Sequence, residues 1–147
     1  MRPRCLPISK KSAHDTERIR TKNKLEGKFM PSNDYTFVPD LLHEFAIPEN
    51  GIASRVLHKD ERFNIILFGF SPGKELSTHS VPTPALISVL EGEGEIDLGS
   101  DTIRVNAGSF IRMTPFLSHA VRAKTPFRML LVQVKDGTHQ KIDPAKS

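Results

Sequence analysis

Two histidines, His79 and His119, are the residues of this 147-residue chain with the most to offer chemically. An imidazole exchanges protons near neutral pH, and its neutral ring nitrogen is a common metal ligand. Two of them in one cavity would serve as a general acid–base pair or as part of a metal site. His79 lies in Gly73-Lys74-Glu75-Leu76-Ser77-Thr78-His79-Ser80-Val81. The glycine permits a turn that most residues resist, and His79 and Val81, two apart on a strand, face one side. His119 follows Gly108 and the loop Thr114-Pro115-Phe116-Leu117-Ser118, which the proline stiffens, and it opens a strand. The sequence has no phosphate loop, no Cys–His site and no nucleophile elbow.

The elements that must position these residues are strands. From Tyr35 onward, short β-branched, aromatic or alternating runs are separated by Gly, Pro and Asn. The pattern predicts strands over Tyr35 to Val38, Ile52 to Leu57, Phe63 to Phe70, Leu76 to Val81, Pro84 to Leu90, Glu93 to Leu98, Thr102 to Val105, Ser109 to Met113, His119 to Ala123 and Phe127 to Val134. Leu41 to Phe45 reads as a short helical turn or an extended piece. No amphipathic helix of useful length interrupts the series. Such spacing belongs to an antiparallel sandwich or barrel, and about 100 residues bury enough surface for one core. The expected fold is therefore all-β, a closed antiparallel barrel.

The spacing of glycines and histidines resembles the cupin superfamily, small single-domain cupins in particular. In the first cupin motif a glycine is followed by two histidines, a glutamate and a second glycine; Gly73, His79, Val81, Ala85 and Gly92 fall on those positions. In the second motif a glycine and a proline–glycine loop lead to a histidine; Gly108, Thr114, Phe116 and His119 fall there. The resemblance covers about Phe63 to Val134. It implies a jelly-roll barrel, a homodimer paired through its sheets, and a pocket bearing His79 and His119. In metal-binding members three histidines and a glutamate hold a divalent metal. Here Val81 and Ala85 stand where two of those ligands would be, and neither side chain has a lone pair. A stable transition-metal site wants three or more protein ligands, so the two imidazoles would hold a divalent transition metal only weakly. Glu75, His58 and Gln133 are the nearest candidates for a further donor.

The expected function is a cupin binding a small organic molecule in its interior, lined by His79, Val81, Ala85, Phe116, His119 and Met129. The alternative is a metal-dependent enzyme of dioxygenase or isomerase type using His79 and His119. Phe116 replaces the family's small glycine and narrows the mouth. Phe68, Phe70, Phe127 and Met129 also suit the core. Arg104, Arg112, Arg122 and Arg128 read as solvated charges on outer strand faces, with an inward, anion-binding Arg112 or Arg128 if the register slips by one residue. Glu91, Glu93, Glu95 and Asp97 read as an exposed strand face.

Composition bounds the rest. Hydrophobic residues make up 37% and charged residues 26%, as in soluble domains with one core. No apolar run is long enough to span a bilayer, and the basic N-terminus lacks the apolar stretch of a signal peptide. The single cysteine, Cys5, excludes an intrachain disulfide. A cytoplasmic location is the expectation. The net charge of +4 is unevenly spread: residues 1–29 carry nine basic and three acidic residues, the remainder twelve and fourteen. Residues 1–30 read as a disordered basic extension, with a short frayed helix from Ala13 to Leu25, ahead of a barrel domain over 31–147. A dispensable extension is favoured over a basic arm for nucleic acid or an anionic surface.

Overall fold

The computed structural model describes Met30, Pro31 and residues 34–135. Strands β1 (Met30–Pro31) and β2 (Thr36–Phe37) pair antiparallel, Met30 opposite Phe37. They belong to a compact unit that ends at Pro39; a second unit begins at Asp40. Of the basic extension read over residues 1–30, Met30 is described and lies in β1; residues 1–29, with the frayed helix read there, lie outside the described residues.

In the second unit nine strands are described: β3 (Ile52–Lys59), β4 (Phe63–Phe70), β5 (Glu75–His79), β6 (Ala85–Glu91), β7 (Glu93–Leu98), β8 (Asp101–Asn106), β9 (Phe110–Met113), β10 (His119–Ala123) and β11 (Phe127–Val134). They form two antiparallel sheets, ordered β3-β4-β11-β6-β9 and β5-β10-β7-β8. The chain changes sheet at each of the links β4–β5, β6–β7, β8–β9, β9–β10 and β10–β11, and also between β5 and β6, which is jelly-roll winding. Leu41 to Phe45 is turns and bends, not a helix. No helix long and apolar enough to cross a membrane occurs among the described residues.

Period-two alternation decides which side chains enter the core. Ala85, Ile87 and Val89 of β6 are buried, and they pair in register with Gln133, Leu131 and Met129 of β11. Facing them from the smaller sheet are Ile96 and Val105, with Val121 and Ala123, in one cluster with Phe70, Phe127 and Met113. Phe70 and Phe127 meet edge to face at 5.7 Å between ring centroids, a favoured aromatic geometry.

The outer face of the five-stranded sheet is covered at one corner by the segment before β3. Phe45 and Ile47 press on Gly69, where a Cβ would come within 2.9 Å of the Phe45 ring. Arg128, opposite Gly69 in the ladder, is only 3% exposed. Its guanidinium lies 5.0 Å over the Phe45 ring, donates to the Phe45 carbonyl at 3.0 Å and reaches Glu91 at 3.3 Å. The sequence reading of Arg128 as a solvated charge is thus corrected. Its strand parity is outward, but a neighbouring segment buries the head that parity alone leaves in water. Arg122 fits the outer-face reading: it makes a two-pronged pair with Asp97 at 2.7 and 2.8 Å, with Glu75 and Glu95 near by.

Candidate functional site

His79 ends β5 and His119 begins β10, and the two are paired opposite one another across the antiparallel ladder. Their ring centroids are 4.3 Å apart. A β-bulge makes this meeting. Leu76 pairs with Val121 and packs against the core, so strict alternation would turn His79, three residues on, to the outer face. The register shift between the His119 and Val121 pairs inserts one extra residue in β5 and returns His79 to the inner side. His119 needs no such device: it shares parity with Val121, and its other neighbour in the ladder is Leu98, packed on the core. His119 is buried, and His79 is exposed at the strand's end.

Both rings are held in the same way. His79 Nδ1 lies 2.7 Å from the Ser77 carbonyl, and His119 Nδ1 lies 2.8 Å from the Leu117 carbonyl. A carbonyl only accepts, so Nδ1 carries the proton in each ring. In the neutral ring Nε2 is then left as the acceptor, and the contact also fixes ring orientation.

The opposite wall follows from topology. The links Ser80 to Pro84 and Thr114 to Ser118 carry the chain from these histidines to Ala85 and from Met113. Ala85 and Met113 pair with each other, Ala85 with Gln133, and Gln133 with Asn64. Asn64, Gln133, Ala85 and Met113 therefore form one inward row at the histidine end of the barrel. Asn64 Nδ2 donates to Gln133 Oε1 at 2.8 Å, while Asn64 Oδ1 is buried without a partner. Phe116 ties the two links together: its N–H donates to the Val81 carbonyl at 2.7 Å, the residue is 68% exposed, and its φ of 64° is left-handed. That conformation is strained for a bulky residue, which accords with the family's glycine at this place.

The remaining sequence candidates divide. Val81 lies beyond β5 and holds Phe116 through its backbone. Met129 is 1% exposed in the core cluster, further along β11 than Gln133. Of the suggested extra donors, Glu75 is paired with Arg122 in the outer-face network, and His58 binds Asp60 at 2.8 Å beside the β3–β4 turn. Gln133 alone shares the inner face with the histidine end. No group of three or more His, Cys, Asp or Glu side chains arranged for a metal ion occurs among the described residues. Sequence reasoning missed Asn64; its signal was a polar residue at an inward position in an otherwise apolar strand.

Comparison with known proteins agrees with this architecture. The Cupin domain family model matches residues 66–133. A conserved Streptococcus pyogenes protein of unknown function is 33% identical, with a TM-score of 0.65 over 74% of this chain and 96% of its own. A cupin superfamily protein from Desulfitobacterium hafniense is 25% identical, with a TM-score of 0.66 over 74% of this chain and 97% of its own. A cupin 2 conserved barrel domain protein from Leptotrichia buccalis is 31% identical, with a TM-score of 0.63 over 68% of this chain and 48% of its own. No curated protein matches the chain. The chain belongs to the cupin superfamily, as a cupin-2 type barrel.

Proposed function

We propose that this cupin binds a small organic molecule at the histidine end of its barrel, without depending on a tightly held metal. The observation that carries the reading is the pair of imidazoles 4.3 Å apart, each tied through Nδ1 to a backbone carbonyl. Two rings so oriented offer two fixed Nε2 atoms, and each accepts a hydrogen bond when neutral or donates one when protonated. The pair thus recognises a polar group of a ligand, and it can exchange a proton with it.

The residues do not fit the metal centre of metal-binding cupins. Two imidazoles fall short of the three or four donors such a centre uses, and valine and alanine stand at the other two places. Gln133 on the same face brings an amide oxygen, a hard donor better suited to Mg or Ca than to the metals imidazole prefers. Phe116 at the mouth offers an aromatic plate to an entering ligand.

Metal analysis of the purified protein beside His79→Ala and His119→Ala, together with thermal-shift screening against a small-molecule panel, tests the reading. The expected result is metal well below one equivalent and ligand-induced stabilisation that both variants lose. One equivalent of a transition metal, lost in both variants, would replace this reading with a metal-dependent enzyme. Pairing of two barrels through their sheets is a further part of the proposal, checked by sedimentation of the native chain.

A further inference from the structure

Asn64 Oδ1 is a buried acceptor with no partner, although the Nδ2 of the same amide is bonded to Gln133. Buried polar atoms are nearly always satisfied, and one left unpaired costs about 1–3 kcal/mol. Asn64 lies on the inward row that runs through Gln133 and Ala85 to Met113, at the barrel end where His79 and His119 meet. That end therefore presents one orphaned buried acceptor, Asn64 Oδ1, and two imidazole Nε2 atoms that accept when neutral. Reversing both amides exchanges the orphan acceptor for an orphan donor, and a hydroxyl group answers either.

Most charged groups of the surrounding strands face elsewhere. Arg122, Glu75, Glu95 and Asp97 are joined on the outer face of the smaller sheet. Arg112 is exposed, opposite Leu86 on the outward parity of the larger sheet, and Arg128 is held by Glu91 and Phe45. Lys59, the ladder partner of Asn64, shares its side of the sheet but stands exposed at the end of the edge strand β3.

We propose that the barrel interior recognises a neutral, polyhydroxylated small molecule, and that Asn64 is a specificity-determining residue for it. The inference rests on the pocket reading given above and names the ligand class of that site. Hydroxyl groups supply a donor to the orphaned Asn64 Oδ1 and to the Nε2 of each neutral imidazole, and an exposed Phe116 in the β9–β10 link suits the apolar face of a ring polyol.

The test uses the native chain at pH 8, above the ordinary histidine range. Imidazole resonances of His79 and His119 are followed by NMR against a neutral panel (myo-inositol, D-glucose, D-xylose, glycerol) and an acidic panel (D-glucuronate, D-gluconate, citrate). Members of the neutral panel are expected to shift both rings, and Asn64→Leu to weaken their binding about tenfold or more. Shifts from the acids alone would overturn the ligand class and leave the pocket reading intact. Neutral binding unchanged in Asn64→Leu would overturn the role of Asn64. Rings that no member of either panel moves would remove both the ligand class and the pocket reading. A ligand-free Asn64→Leu/Gln133→Leu protein less stable than the native one would show the amide pair to be structural, and would overturn the inference.

Discussion

Gly92→Ala is expected to damage the barrel far more than Gly108→Ala, although both glycines stand at family motif positions and both have left-handed backbones, with φ of 81° and 95°. An alanine in that region costs about 1–2 kcal/mol. At Gly108 nothing lies within 4 Å of the added methyl group, so this conformational cost is the whole effect. At Gly92 the methyl group would overlap the carbonyl oxygen of Pro126. Relief requires the β6–β7 turn to move from the 124–126 turn. Three bonds hold those turns together: Lys124 N–H and Thr125 N–H donate to the Glu93 carbonyl at 2.9 and 3.3 Å, and Glu93 N–H donates to Thr125 Oγ1 at 2.9 Å. Losing two or three of these adds about 1–4 kcal/mol, for a total of about 2–6 kcal/mol. In a barrel of this size that lowers the melting temperature by about 10 °C or more, against about 5–10 °C for Gly108→Ala. Thermal melts and urea titrations of the two variants side by side measure the difference. Equal losses would refute the steric reasoning and leave only backbone conformation.

Other outcomes follow from the same structure. Asp60 accepts from His58 and from the backbone N–H groups of Phe63 and Arg62, which holds its carboxyl at about 2. Because this folded value is depressed, the stabilisation is complete above about pH 4 and fades as the pH falls toward 2; His58→Ala should raise the Asp60 midpoint seen by carboxyl NMR, and an unmoved midpoint would contradict that account. Phe116→Gly relieves the left-handed strain that Phe116→Ala retains, so the glycine variant should equal or exceed the alanine variant in stability by up to about 1 kcal/mol despite glycine's freer unfolded chain; a glycine variant clearly the weaker in urea titration would mean the conformation is not strained. Arg128→Met keeps the apolar stem but loses the bonds to Phe45 and Glu91, and should cost about 1–3 kcal/mol in denaturant midpoint, with faster hydrogen exchange over residues 42–47; an unchanged exchange rate would show that this head does not pin the segment.

Much of the barrel was legible because its strands alternate cleanly between turn residues. The strands over His119 to Ala123 and Phe127 to Val134 lie where the pattern set them, and the glycine spacing pointed to the family. The meeting of His79 and His119 was legible only through the family resemblance, since the bulge that turns His79 inward leaves no mark in a composition of Leu-Ser-Thr-His. Arg128 was misread because burial of an outward residue depends on a segment 83 positions away in the chain, at Phe45, which period-two alternation does not report. Asn64 was missed for a related reason. Asn64, Gln133 and Ala85 are neighbours through ladder register across three strands, and register between distant strands is set by the whole packed face, not by any one of them.

Two cross-strand imidazoles share the barrel's inner end with Nδ1 protonated and Nε2 left as acceptor. Long-range 1H–15N NMR of the neutral histidines, combined with NOEs between the rings, reads this directly. The Nδ1–H tautomer is expected for both His79 and His119, with a strong ring-to-ring NOE. An Nε2–H tautomer at either residue, or rings with no NOE between them, would contradict it.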